Sequence, residues 1–128
     1  MTPGSVGSRA LRFLRIFFLK TSERAAVRAG RESGLFDPVY YAGAYPQVHA
    51  LFRPFLLRHY VVYGEQMGYR PNPDFSPSAY LRYNPDVAIQ NVSPFLHYAS
   101  TGYKEDRITK ELPKVEELPA VVTPKLRF

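Results

Sequence analysis

Apolar residues fall in three blocks along the chain, and each block implies helix. In residues 9–20, RALRFLRIFFLK, arginines interrupt Phe and Leu at helical spacing. At 100° per residue Ala10, Leu11, Phe13, Leu14, Phe17 and Phe18 share an arc of about 160°. Arg9, Arg12, Arg15 and Lys20 fall opposite, with Ile16 and Leu19 among them. This predicts a basic amphipathic helix over 9–20, entered from a flexible 1–8 with Ser8 as candidate N-cap. Residues 21–34, TSERAAVRAGRESG, continue it, with a candidate break at Gly30 and a stop at Ser33-Gly34.

The other two blocks are versions of one another. Phe36-Asp37-Pro38 matches Phe75-Ser76-Pro77, and Tyr41, Pro46 and Val48 match Tyr80, Pro85 and Val87, all at an offset of 39. Pro54-Phe55-Leu56 matches Pro94-Phe95-Leu96 at 40, while His59-Tyr60 and Gly64 match His97-Tyr98 and Gly102 at 38. A period near 40 residues is in the range of stacked helical units. Each stretch carries prolines spaced about eight apart, suited to the first residue of a helix, where no N–H is needed. Asp37, Ser76, Asn84 and Ser93 precede four of them as candidate N-caps, whereas Tyr45 and Arg53 are poor caps. The expectation is three short helices per stretch, the last ending at Gly64 or Gly102 as C′ glycine. Their inward faces are Tyr40, Tyr41, Val48, Leu51, Phe52, Phe55, Leu56, Tyr60, Val61 and Val62, then Tyr80, Leu81, Val87, Ile89, Phe95, Leu96, Tyr98 and Ala99. Helices this short are unstable alone, so both stretches are expected to share one core.

The predicted fold is therefore all-α: two tandem repeats of about 39 residues, each of three short Pro-initiated helices, preceded by a basic amphipathic helix. The expected organisation is a helical lead at 1–32, a two-repeat domain at 33–112 (33–73 and 74–112) and a Pro-rich flexible tail at 113–128. The length of 128 residues suits one small domain with tails, and 45% apolar content suffices for a core. The absence of cysteine excludes disulfides and thiolate metal sites.

Charge is uneven. Residues 1–31 hold seven basic side chains and one acid, which accounts for the whole net charge of +6, and the remainder is balanced. The apolar run at 9–20 is shorter than the roughly 20 residues a bilayer span needs, and its arginines interrupt any signal-peptide core. A basic face opposite Phe and Leu is the composition of an interfacial helix on an anionic membrane. Arg9, Arg12, Phe13, Arg15, Phe17, Phe18 and Lys20 are its candidate membrane residues; packing of the same helix on the repeats or on a partner is the structural alternative.

Candidate chemistry is sparse. Three histidines (His49, His59, His97) lack metal-binding spacing, and no Gly-rich phosphate loop or nucleophile elbow occurs. His97 with Asp86 is the nearest approach to a catalytic pair, but the pair is not repeated, since Gln47 stands in the position equivalent to Asp86. No catalytic residue, metal or cofactor is expected. Tyrosines near Asn and Asp can stack on sugars or bases, which makes Tyr41, Tyr80, Tyr83, Asn84 and Asp86 candidate ligand residues, although aromatics at helical spacing are more often core. Nucleic acid is disfavoured as a partner because the repeats carry no net positive charge.

The stretches GLFDPVYY…YPQV…RPFLLRHYVVYG…GYRPNP and DFSPSAYLRYNPDV…VSPFLHYASTG…EDR resemble tandem repeats found ahead of the catalytic domain in bacterial surface-polysaccharide glycosyltransferases. Their general form is FDxxYYLxxNPDV, NPLxHYLxxG, then EGR. The resemblance covers residues 33–108. It departs from the pattern at Gln47, at Gly68-Tyr69 and at Asp106-Arg107. It implies a mainly helical accessory module, without catalytic residues, associated with surface-polysaccharide or glycoprotein assembly. Taken with the basic helix at 9–20, the expectation is a non-catalytic adaptor for a glycosyltransferase or glycan-assembly machinery, peripheral to the inner membrane on its cytoplasmic side. A carbohydrate-binding module using the repeat tyrosines, or an accessory fragment of a split glycosyltransferase, are the alternatives. Open stacking ends add a homodimer as a further expectation.

Overall fold

A computed structural model of the chain describes residues 7–113. The fold is all-α, as expected, with no strand among the described residues. Two helices lead, α1 (Gly7–Arg15) and α2 (Thr21–Ser33). Three follow in the first stretch: α3 (Pro38–Ala44), α4 (Pro46–Phe52) and α5 (Leu56–His59), the last running into a π-helical turn, Tyr60–Gly64. The second stretch has α6 (Pro77–Tyr83), α7 (Pro85–Gln90) and α8 (Pro94–Ser100), followed by a 3₁₀ turn, Gly102–Glu105. Residues 1–6, and 114–128 of the expected tail, lie outside the described residues.

Five of the six repeat prolines begin a helix, and three of the four proposed caps do their work. Asp37, Ser76 and Ser93 accept from the backbone N–H three residues on, Tyr40, Ala79 and Leu96 respectively. The sixth proline, Pro54, lies outside α5, which starts two residues later. Asn84 does not cap α7; its amide instead donates to Tyr80 O (2.8 Å) and Ile108 O (3.1 Å). Tyr45 and Asn84 each divide two consecutive helices with almost the same backbone, φ −130°, ψ 70° and φ −129°, ψ 70°. A following proline excludes the helical region for each, so the chain turns there.

Other expectations are corrected. The lead is not one continuous helix. It breaks at 16–20, where the Arg15 guanidinium donates to Phe18 O and to the Glu23 carboxylate, while Glu23 also accepts from Lys20 N (2.8 Å). Because α1 stops at Arg15, the helical angle no longer applies to Ile16, which turns from the basic side into the core and is fully buried. Ser8 sits inside α1 and does not precede it. Gly30 does not break α2. It is the point of closest approach: a Cβ there would stand 2.9 Å from Leu57 Cδ1 and 3.1 Å from the Phe95 ring. Through that contact α2 packs on α5 and most extensively on α8, so it joins both stretches. Leu51 and Ile89, expected inside, are exposed, because α4 and α7 are too short to bury more than one narrow stripe.

The core repeats its own geometry. Tyr41 lies edge-on to Tyr60 at 5.8 Å, as Tyr80 does to Tyr98 at 5.7 Å. Phe36 packs on Tyr41 at 5.1 Å, and Phe75 on Tyr80 at 5.3 Å. The two aromatic groups meet where Phe95 contacts both Tyr60 (5.2 Å) and Phe75 (6.3 Å). Each stretch closes on its own start, Asp37 N donating to Pro71 O and Ser76 N to Thr109 O.

Candidate functional site

The repeat histidines and tyrosines form two matched interior pairs. Tyr41 hydroxyl and His59 Nδ1 share a hydrogen bond of 2.8 Å; Tyr80 hydroxyl and His97 Nδ1 share one of 2.7 Å. Burial pushes the Tyr41 phenol far up, and pushes that of Tyr80 up to about 12. Burial, then the Arg12 charge, lowers the His59 imidazole to about 4. Tyr41, Tyr80 and His59 are therefore neutral at neutral pH. His97 and Asp86 do not meet: His97 faces Tyr80, and Asp86 faces Arg107.

The ligand residues proposed from sequence are therefore scattered. Tyr41 and Tyr80 are fully buried and cannot stack on a sugar; Asn84 is buried too. Asp86 is exposed but held by both guanidinium nitrogens of Arg107 at 2.8 and 2.9 Å, which lowers its pKa and raises that of Arg107. Arg107 also donates to Asn84 Oδ1 (3.2 Å). At the equivalent place in the first stretch, Tyr45 and Tyr69 stack at 3.9 Å with 8° between their planes, and Tyr45 hydroxyl accepts from Arg70 N. The positions that differ between the stretches thus provide two different latches for one loop. Tyr83, half-buried, reaches Leu112 N with its hydroxyl at 3.5 Å.

The lead residues divide in two. Phe13 packs inward on Phe52 (6.0 Å) and Phe55 (6.2 Å), and Arg15 is paired with Glu23 at 2.7 Å. Burial raises the Glu23 carboxyl, but the hydrogen bonds from Arg15 and Lys20 N outweigh it and hold it below its ordinary value. Arg12 lies over the Tyr63 ring at 4.7 Å and accepts from Tyr63 hydroxyl at its carbonyl. Phe18, Arg9 and Lys20 face outward, whereas Phe17 is partly exposed and packs edge-on against Phe55 at 4.8 Å. The exposed apolar residues of this segment are Leu11, Leu14, Phe17 and Phe18: Phe18 is 74% exposed, Leu11 69%, Leu14 50% and Phe17 39%. Four exposed large apolar residues on one short segment make it a candidate interaction surface.

A cleft of about 540 Å³ is lined by Phe17 and Leu19 and by Arg24, Arg28, Arg31 and Arg58. The sequence reading missed these arginines. The spacing of Arg24, Arg28 and Arg31 placed them on one face of α2, whereas Arg58 joins them only through the packing of α5. No helix among the described residues is long and apolar enough to cross a membrane, and no cluster of potential metal ligands occurs among them.

Comparison of the chain with protein-family models, curated proteins and solved structures returns no match.

Proposed function

We propose that the chain is a non-catalytic helical adaptor that rests on the anionic cytoplasmic face of a bacterial inner membrane and serves a glycosyltransferase of surface-polysaccharide assembly. The observation that carries the membrane part is the exposed residues Leu11, Leu14, Phe17 and Phe18, with arginines nearby that make no ion pair among the described residues. Exposed apolar residues with cations nearby gain both from entry into the headgroup boundary and from attraction to acidic lipids. The link to glycan assembly rests on the resemblance of residues 33–108 to glycosyltransferase-associated repeats. The internal engagement of Tyr41 and Tyr80 favours an adaptor over a carbohydrate-binding module.

Vesicle flotation tests the membrane part. Deleting the lead would remove Phe13 and Ile16 from the core, so substitution at exposed positions is the cleaner probe. The unmodified chain is expected to float with vesicles containing phosphatidylglycerol, and Leu14→Asp/Phe18→Asp to remain at the bottom with unchanged circular dichroism. Equal flotation of both would refute it. For the adaptor part, a glycosyltransferase encoded beside this gene is expected to co-purify with the chain when the two are co-expressed, and the link fails if it does not.

A further inference from the structure

The cleft between α2 and α5 has a composition suited to one kind of occupant. Arg24, Arg28 and Arg31 recur at intervals of four and three residues, so they stand on one face of α2. Arg58 approaches from α5, its guanidinium 5.7 Å from the centre of the Phe17 ring and donating to Ile16 O at 3.1 Å. Arg24 donates to Leu19 O (3.2 Å) and Thr21 Oγ1 (3.4 Å). Neither guanidinium is neutralised by these bonds, because each acceptor is uncharged. Among the described residues Arg28 and Arg31 make no ion pair. One acid, Glu32, lines the same cleft, leaving a local excess of positive charge. The remaining lining is apolar: Phe17, Leu19 and Val27. Phe17 belongs both to this lining and to the exposed apolar residues of the lead.

Like charges gathered around an apolar floor repel each other unless an anion joins them, and guanidinium groups match phosphate oxygens in pairs. A free anion would account for the arginines but not for Phe17 and Leu19 in the same lining. A phosphate carrying an acyl chain accounts for both. We propose that Arg24, Arg28, Arg31 and Arg58 form a binding site for the phosphate headgroup of an anionic membrane lipid, with Phe17 and Leu19 against its glycerol and upper acyl carbons. This rests on the membrane-peripheral reading and deepens it: the contact with the bilayer has a headgroup site as well as exposed apolar residues.

The test compares charge-matched variants on vesicles of phosphatidylcholine with phosphatidylglycerol. Arg28→Gln/Arg31→Gln removes two cleft charges, and Arg53→Gln/Arg82→Gln removes two exposed charges away from the lead. At about fivefold per basic residue near an anionic surface, the control should lose at most about 30-fold in partitioning. The cleft variant is expected to lose clearly more than the control. In parallel, the Arg Nε–H resonances of the full chain are followed during titration with dihexanoyl phosphatidylglycerol and with inorganic phosphate. The cleft arginines are expected to shift with the short-chain lipid at concentrations where inorganic phosphate leaves them unmoved.

Equal losses in the two variants would mean diffuse attraction and would overturn the site, while flotation that persists in both leaves the peripheral reading standing. Equal shifts with phosphate and lipid would make it a simple anion site and refute the lipid assignment. Cleft resonances that ignore lipid but move on removal of residues 114–128 would make the chain's own Glu116-Glu117 stretch the occupant, and the proposal would fall. Loss of flotation in Leu14→Asp/Phe18→Asp alone, with the cleft variant unaffected, supports the exposed apolar residues and sinks the headgroup site.

Discussion

At the residue scale, Gly64 and Gly102 are held by a contact that has nothing to do with helix ends. The expectation was a C′ glycine in the left-handed region, yet neither has positive φ; Gly34 does, closing α2 as expected. A Cβ at Gly64 would overlap the Tyr41 hydroxyl and stand 3.1 Å from Tyr60 Cδ1; at Gly102 it would overlap the Tyr80 hydroxyl and stand 3.0 Å from Tyr98 Cδ1. The glycine is the space in which the Tyr–His hydrogen bond lies. Gly64→Ala is therefore expected to destabilise by about 1–3 kcal/mol, the range for an overpacked core. Tyr41→Phe removes the overlapping oxygen and leaves His59 Nδ1 without its partner, at a cost of about 1–3 kcal/mol. In the double variant the two penalties should sum to less than their separate values. Urea unfolding of the four chains measures that coupling, and strict additivity would show that hydroxyl and glycine are independent.

At the element scale, the interest lies in α2. Taken alone it is a polar helix with Gly30 as its weakest point, and helix propensity argues that a larger residue there would stabilise it by up to about 1 kcal/mol. Packing argues the opposite, because Leu57 and Phe95 already occupy the place of a side chain. The clash wins: a β-branched side chain meets both neighbours, and overpacking costs about 1–3 kcal/mol against the smaller propensity gain. Gly30→Val is expected to lower the thermal midpoint, with a smaller effect for Gly30→Ala, whose single methyl meets chiefly the mobile end of Leu57. A midpoint raised by Gly30→Val would show that α2 does not join the two stretches in this way. The short helices follow the other logic. Their starts were readable because proline acts locally: α4 and α7 open at Pro46 and Pro85 even without a side-chain cap, and Pro54 alone of the six does not begin a helix.

At the scale of the whole molecule, two ionisable groups, one half-buried and one buried, give opposite pH dependences. Glu65, at the end of the first stretch, reaches across to accept from Ser93 Oγ and Phe95 N of α8, both at 3.0 Å. Burial raises its pKa despite those bonds, so its contribution to stability is largest at low pH and declines as pH rises. His59 behaves the other way. Its imidazole, ordinarily near 6.5, is held to about 4, first by burial and then by Arg12. Between those values the unfolded chain binds the extra proton, so stability is complete above about 6.5 and is lost as pH falls toward 4. His59→Gln should flatten that loss. The urea midpoint of the unmodified chain should therefore fall more between pH 7 and pH 5 than that of the variant, and parallel falls would show that His59 titrates normally.

Local chemistry made some of this architecture legible. The all-α class, the prolines that open helices, the caps at Asp37, Ser76 and Ser93, and the stop at Gly34 depend on neighbours within a few residues, so the sequence by itself determined them. The matched offsets also pointed to the shared aromatic core. What only the tertiary structure decided depends on groups far apart in the chain. Ile16 is buried because α1 ends one residue before it, Gly30 is a contact because Leu57 and Phe95 meet it, and Tyr41 and Tyr80 are interior because a histidine 17 or 18 residues away takes each hydroxyl. The cleft shows both kinds of information at once. Three of its arginines were aligned by helical periodicity, but only packing of α5 against α2 brings Arg58 to them, since like charges do not gather unless the burial of their apolar neighbours draws them together.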